Sequence, residues 1–469
     1  MATAAGEAVV VTATASTTAS TATAPPAPVH RESADRVRRQ RAIGPTRVVL
    51  GALVVSRLFY WYRGLRFDVG FVDGSMQVAD VDLLRSAPWS TAWFLHVQPP
   101  LFNLFVGFGS KLFGSWAGLG FQAVYLAVTV AVLVAFVRFC LDLGVSRPIT
   151  TVLGAFLAVS PTIAQYEHLL FYTHLELALL VFAARGLQRH CTQGSVRGLV
   201  GFGAALAALA LGRSLYHPLW FAALAVVLAV VARDRLLRRR LVAVVMIPLL
   251  CGLAVGAKNQ AVFGWWTTSS LEGLNLHRVT EPYLDDDERT AMLADGSLTT
   301  VSTDAFSCGD TDRRFAPAGP DAAIPVLDRR WRPSLPGQRN LNERHNVRCL
   351  EQLRNESLRV VVEHPDAYLR GVARAFPVAF SSAVPDVRIR TQNQAALRTP
   401  GRVEALVLGG PQAGPGPFDA SFGHLHPGST LWVVALASLA VVAFLLRALW
   451  VRRRDPDAAD APVLAFVLF

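Results

Sequence analysis

Apolar runs of bilayer length, separated by short Arg-rich connections, leave a chain few architectures to adopt. In hydrocarbon, backbone N–H and C=O groups must be satisfied internally, which leaves helices or closed barrels. Runs of about 20 apolar residues give the helical solution. Such runs read at roughly 46–62, 118–138, 147–163, 168–185, 198–213, 216–232, 240–257 and 431–449. The expected fold is an all-α polytopic membrane protein of about eight transmembrane helices, with an extracytoplasmic soluble domain of mixed or mainly α structure. Composition agrees: 52% of the 469 residues are hydrophobic and 17% charged, against about 25% charged in soluble domains.

The net charge of +11 would suggest nucleic acid in a soluble protein. Here the Arg residues sit between the runs. Arg31, Arg36, Arg38, Arg39, Arg41 and Arg47 precede the first. Arg138 and Arg147 separate the second and third. Arg185, Arg189 and Arg197 separate the fourth and fifth. Arg233, Arg235 and Arg238 to Arg240 separate the sixth and seventh, and Arg452 to Arg454 follow the eighth. Every one of these strongly basic short connections falls on the same side when the runs alternate. The positive-inside rule then puts the N-terminus in the cytoplasm of a multi-pass plasma-membrane protein, with no role for nucleic acid.

Four regions follow. Residues 1–45 are a low-complexity, then basic, cytoplasmic tail. Residues 46–257 form the transmembrane module, with an outer loop at 63–117. Residues 258–430 are polar and long enough for an extracytoplasmic domain. Residues 431–469 give a last transmembrane helix and a cytoplasmic tail, whose final Ala-Pro-Val-Leu-Ala-Phe-Val-Leu-Phe reads as the start of another span or as a short interfacial end. Residues 99–115, interrupted by Gly and Lys111, are expected to form a helix lying in the outer interface, opened by a Pro pair; an extra short span is the alternative. Cys308 and Cys349 both fall outside, where a disulfide between them is expected. Cys140, Cys191 and Cys251 read as packing residues. No metal-type Cys/His spacing, P-loop or dinucleotide fingerprint occurs.

Candidate chemistry gathers at the outer edge. The first outer loop carries Asp68, Asp73, Asp80 and Asp82, then His96 and Gln98 before Pro99–Pro100. A carboxylate there can act as a general base on a hydroxyl or coordinate a divalent cation; a solvated acidic loop is the plain alternative. Arg213 and His217 share a tight outer turn, Lys258 ends the seventh run, and Arg278 lies beyond it. Glu167, His168, His174 and Glu176 cluster near the membrane edge and can pair with Arg213 or Arg57, with catalytic help or metal binding as the alternative.

One N-terminal span, an acidic outer loop, and then His96-Val-Gln-Pro-Pro-Leu opening an apolar helix resemble the GT-C superfamily of membrane glycosyltransferases, in particular the protein-mannosyltransferase and aminoarabinose-transferase types. Those typically show HPPL at this place; Val97 and Gln98 are inserted here. Their paired acidic motif is absent, and Asp80-Val-Asp82 stands nearest. The resemblance covers about residues 46–260 in layout. It implies that a sugar moves from a polyprenyl-phosphate donor to a cell-envelope glycan, lipid or protein. Asp80, Asp82 or Asp73 would be the general base. His96, Gln98, Glu167, His168, Arg213, His217, Lys258 and Arg278 would bind substrate and the leaving phosphate. The competing readings are a transporter or flippase for a lipid-linked substrate, which should show repeated halves and mid-membrane charges, and a catalytically inert scaffold of GT-C shape.

Overall fold

The computed structural model describes residues 28–232, 234–303, 308, 314–376, 384, 389–408, 439 and 461–468, with side chains from Ala42 onward. The expected eighth span at 431–449 lies outside the described residues, Leu439 apart. Met1–Gly44 and Pro45–Phe469 are separate units. In the first, the described part is the opening of α1 (Pro28–Tyr62). Among the described residues the elements are helical, and β pairing is limited to two isolated bridges, Asp68 with Leu169 and Trp331 with Arg339.

Among the described residues, three stretches are long and apolar enough to cross a membrane: Ala42–Tyr62, Leu101–Asp142 and Arg235–Phe263. A bent pair, α6 (Arg147–Val159) and α7 (Pro161–Glu167), makes a fourth if its 52° break counts as one span. This is fewer than the eight expected. The expected runs at 168–185, 198–213 and 216–232 are helices, α8 (Tyr172–Gln193), α9 (Val196–Gly212) and α10 (Pro218–Val231). However, α9 and α10 are short, and α8 buries His174, Glu176, Gln188 and His190. The apolar pattern marks burial, and burial inside a helix bundle gives the same pattern as burial in lipid.

The stretch Leu101–Asp142 is not one straight rod. It comprises α4 (Leu101–Phe113), a 3₁₀ turn and α5 (Ala117–Asp142). Phe105 and Tyr125 have ring centroids 6.4 Å apart, and Phe113 lies 5.4 Å from Phe121. Twenty residues of continuous helix would separate such rings by about 30 Å. So α4 doubles back against α5, and within this stretch α5 (Ala117–Asp142) is the helix long enough to cross a membrane. Gly114, at φ +53°, makes the reversal.

Helix α8 crosses α9 at close range. A Cβ on Gly186 would stand 2.7 Å from the Gly198 carbonyl oxygen, and one on Gly198 2.6 Å from that of Gly186. Small residues let helix backbones approach where no side chain could fit. α11 (Arg235–Phe263) packs on α9 and α10. The last helix, α19 (Ala461–Leu468), buries Val463 and Phe466 against α8 and α10, with Phe466 edge-on to Phe202.

The region expected as an independent domain from 258 contains α12 (Glu272–His277), α13 (Asp286–Ala294), α14 (Thr300–Thr303), α15 (Pro325–Asp328), α16 (Asn346–Glu363), α17 (Pro365–Ala375) and α18 (Thr391–Leu408). It has a small cluster of its own, Leu284, Met292, Leu298, Val360 and Ala367, and a larger one that it shares with the first loop. Leu271, Leu350, Leu353 and Leu397 share one hydrophobic cluster with Leu84, Leu95, Val97 and Phe102. These belong to the first loop with its helices α2 (Val81–Ser86) and α3 (Pro88–Trp93), and to α4. The first loop thus packs directly against the region that follows residue 258. Cys308 and Cys349 are bonded across 41 residues, both sulfurs' residues buried. Closing a loop of that length is worth about 4 kcal/mol of chain entropy. Cys308→Ser should lower the stability of the purified chain by about that amount in a denaturant melt; a melt superposable on wild type would show that the bridge constrains nothing.

Candidate functional site

The carboxylates of the first loop receive very different surroundings. Asp80 is 4% exposed and caps α2: its Oδ1 accepts from the amides of Asp82 (3.0 Å) and Leu83 (3.3 Å). Its Oδ2 accepts from the Ser334 amide at 2.9 Å. Both oxygens are engaged in holding structure, the usual work of an aspartate at a helix start. Asp82 sits on the surface in the first turn of that helix, paired at 3.2 Å with an equally exposed Arg85. The two carboxylates ranked first as general bases by the sequence are therefore a cap and a solvated pair.

Asp73 differs. It is half-buried, and its Oδ1 is buried with no hydrogen-bond partner. Burial first, then repulsion from Asp80, lift its carboxyl above the usual aspartate range, while the Ser334 side chain and Arg332 pull it back. A raised, partly free carboxylate is the condition a general base needs. Asp68 is close by and buried, with its Oδ1 at 2.8 Å from the Arg390 guanidinium. Gly70 sits where the three meet. A Cβ there would stand 3.2 Å from Arg390 Nη2, 3.6 Å from Asp68 Oδ1 and 3.9 Å from Asp73 Oδ2. The missing side chain leaves a small polar recess. The sequence reading singled out neither Asp68 as a site residue nor Arg390, which joins the loop from 322 residues away and has no local signal.

Arg332 is the other residue that sequence missed. It is 1% exposed and inserts into the first loop, donating to the carbonyls of Asp73 (2.8 Å), Ser75 (2.7 Å) and Val72 (3.3 Å), and to that of Val78. Burial pulls its pKa down to about 10, opposed by Asp80 and Asp73. It therefore stays charged at neutral pH and fixes the backbone around Asp73.

The His96-Val97-Gln98 element is clamped residue by residue. Lys258 Nζ donates to the Leu95 carbonyl at 2.5 Å. The His96 Nδ1 lies 2.7 Å from Ser270 Oγ, and the Ser270 amide donates to the His96 carbonyl. Asn342 accepts from the Val97 amide at 3.3 Å, while Ser269 Oγ donates to the Val97 carbonyl. Gln98 Oε1 accepts from the Ser214 amide at 3.1 Å, in the turn that also holds Arg213 and His217. Thus His96, Gln98, Lys258 and the Arg213 turn do come together. Burial drives His96 down to about 3, helped by Lys258, so its ring is neutral. Its Nε2 is buried without a partner. Lys258 makes no ion pair with a carboxylate among the described residues. The stretch from Arg332 and Ser334 to Asn342, pinned by the Trp331–Arg339 bridge, touches both the Asp73 cluster and this clamp.

The remaining candidates are paired among themselves. Arg213 bonds Glu176, which also accepts from Tyr216 at 2.7 Å, and lies 4.8 Å over the Tyr172 ring. Glu167 takes a two-pronged pair from Arg57, both contacts 2.8 Å, and a hydroxyl bond from Thr129, whose oxygen is 3.0 Å from His174 Nε2. This network joins α1, α5, α7 and α8 and satisfies charges that would be costly alone. His168 Nδ1 is 2.8 Å from the Ala164 carbonyl. His217 caps α10, accepting from the Leu219 amide at 3.3 Å. Arg278 closes α12, its amide donating to the Leu274 carbonyl. No group of three His, Cys, Asp or Glu suited to hold a metal occurs among the described residues. No family model, curated protein or solved structure matches this chain.

Proposed function

We propose that this protein is a membrane glycosyltransferase of the GT-C kind, moving a sugar from a polyprenyl-phosphate donor to a hydroxyl of a cell-envelope glycan, lipid or protein at the outer face of the plasma membrane. Asp73 carries the reading. It is a half-exposed carboxylate of raised pKa, with an unpartnered oxygen, in the loop that follows the first candidate span.

In this reaction Asp73 takes the proton from the acceptor hydroxyl as that oxygen bonds to the anomeric carbon. The bond from that carbon to the phosphate oxygen breaks, and polyprenyl phosphate leaves with the electron pair. The leaving charge needs a cation that no carboxylate already neutralises. Lys258 meets that condition; Arg213, already bonded to Glu176, does not. The neutral, buried His96, bonded through Nδ1 to Ser270, fixes the clamp that Lys258 joins at the Leu95 carbonyl. Asp68 and Arg390 flank the recess at Gly70 and orient Asp73's surroundings.

The purified chain, reconstituted in nanodiscs and given a panel of radiolabelled polyprenyl-phosphate pentoses and hexoses together with delipidated envelope material, should transfer label from at least one donor. Intact donors across the panel, with a folded protein, would remove the reading. Steady movement of intact donor across vesicle bilayers would favour a flippase instead.

A further inference from the structure

A cavity of about 410 Å³ lies away from the recess just described. It is bounded by the end of α1, by the break between α6 and α7, and by α18. Its walls are mainly apolar: Phe59, Phe156, Val159, Pro400 and Val403. Phe59, Phe156 and Val403 are exposed, Val403 at 60%. Arg63 stands on the rim, exposed, and makes no ion pair among the described residues.

The roof of this cavity is held deliberately. Asn393 at the start of α18 accepts from the Arg66 amide (3.0 Å) and donates to its carbonyl (2.8 Å), while Gln392 donates to the Gly64 carbonyl. Further along α18, Glu404 is 5% exposed and accepts from Ser160 at 2.6 Å and from Thr162, on either side of Pro161. These contacts fasten α18 across the helix ends at two points, and the apolar gap stays open between them.

We propose that this groove binds one acyl chain of an anionic phospholipid from the surrounding bilayer, with the phosphate on Arg63. Two observations identify the occupant. Two of its walls belong to stretches apolar enough to cross a membrane, Ala42–Tyr62 and the α6–α7 pair, so the groove is continuous with lipid-facing surface. Its size falls within the roughly 300–1,000 Å³ of ligand pockets, and its rim carries an uncompensated cation. An apolar slot with a single cation at its mouth combines the two attractions that hold a lipid at an interface. The proposal rests on this cavity and not on the sugar-transfer reading.

Native mass spectrometry of the full chain in detergent, titrated with phosphatidylglycerol or phosphatidylcholine of equal chain length, tests it. Wild type should retain one phosphatidylglycerol, up to about fivefold more than phosphatidylcholine, the factor one exposed charge contact can supply. Val403→Trp fills the groove from an exposed position and should lose the bound lipid, whereas Val200→Trp, exposed on α9, should not. Arg63→Glu should abolish the preference between headgroups. No retained lipid in wild type, or retention by Val403→Trp equal to wild type, overturns the proposal. Equal retention of both lipids overturns the assignment of Arg63.

Discussion

Asp73→Asn is expected to cut sugar transfer by about 10²–10⁴-fold, the usual contribution of a positioned general base. The substitution keeps the shape, exchanges one acceptor oxygen for an amide donor, and removes the charge and the ability to accept a proton. Asp82→Asn should leave the rate unchanged, because that side chain is 56% exposed and pairs only with Arg85. Asp80→Asn should retain most activity, since asparagine caps a helix about as well as aspartate. The sign of the pH dependence follows from the Asp73 carboxyl. Only its deprotonated form is a base, and burial raises its pKa above the ordinary value near 3.8. Activity should therefore be full at high pH and fall as pH drops, with an acid limb displaced upward from that of a solvated aspartate. That limb should vanish in Asp73→Asn. Asp73→Asn retaining more than a tenth of wild-type transfer, or inactivation by Asp80→Asn of a protein that remains folded, would move the base elsewhere.

Arg332→Met should be the most destabilising single substitution proposed for this chain. The methionine stem fills much of the same channel, so the loss isolates the guanidinium. Four loop carbonyls lose a charged donor at once: those of Asp73 and Val78 are left without the donor they have here, while those of Val72 and Ser75 keep the Ser75 and Val78 amides. Each buried polar group left unpaired costs about 1–3 kcal/mol, and relaxation recovers part of that. A loss of about 4 kcal/mol or more is expected, read as a large drop in the melting temperature of the detergent-purified protein. Arg330→Met, exposed on the same loop and lying near the Trp331 ring, should melt close to wild type. Since Arg332 holds the Asp73 backbone itself, surviving Arg332→Met protein should also transfer sugar poorly. A melt coincident with wild type would show that the Asp73 and Val78 carbonyls find other donors and that the loop does not depend on this arginine.

Which parts of the molecule the sequence could reveal depends on how far each interaction reaches along the chain. Helix α1 from Ala42, α5 and α11 were legible because an uninterrupted apolar run is a local property. The Cys308–Cys349 bridge was legible because few cysteines lie in that region. The pairing of Glu176 with Arg213 was among the partners foreseen from their positions at adjoining helix ends. The span count was not legible. α8, α9 and α10 bury apolar surface against one another and against α11, and the pattern does not say whether the neighbour is protein or lipid.

The site shows the same division. Sequence put four aspartates in the first loop, a histidine and glutamine before the Pro pair, and a lone lysine at the end of α11. It favoured Asp80 and Asp82 because Asp80-Val-Asp82 stands nearest the acidic motif of the family the chain resembles. Spacing cannot show that Asp80 starts a helix whose amides consume its carboxylate, or that Ser334 takes its other oxygen. Nor can it show that Arg332 and Arg390 reach back from the far end of the chain to shape the ground around Asp73 and Asp68. Sequence by itself determined the helical class, the apolar runs and the stock of ionisable groups, because these follow from composition and short-range periodicity. The tertiary structure decided which of those groups are already satisfied and which are left free, because hydrogen bonding and charge pairing depend on residues brought together from hundreds of positions apart.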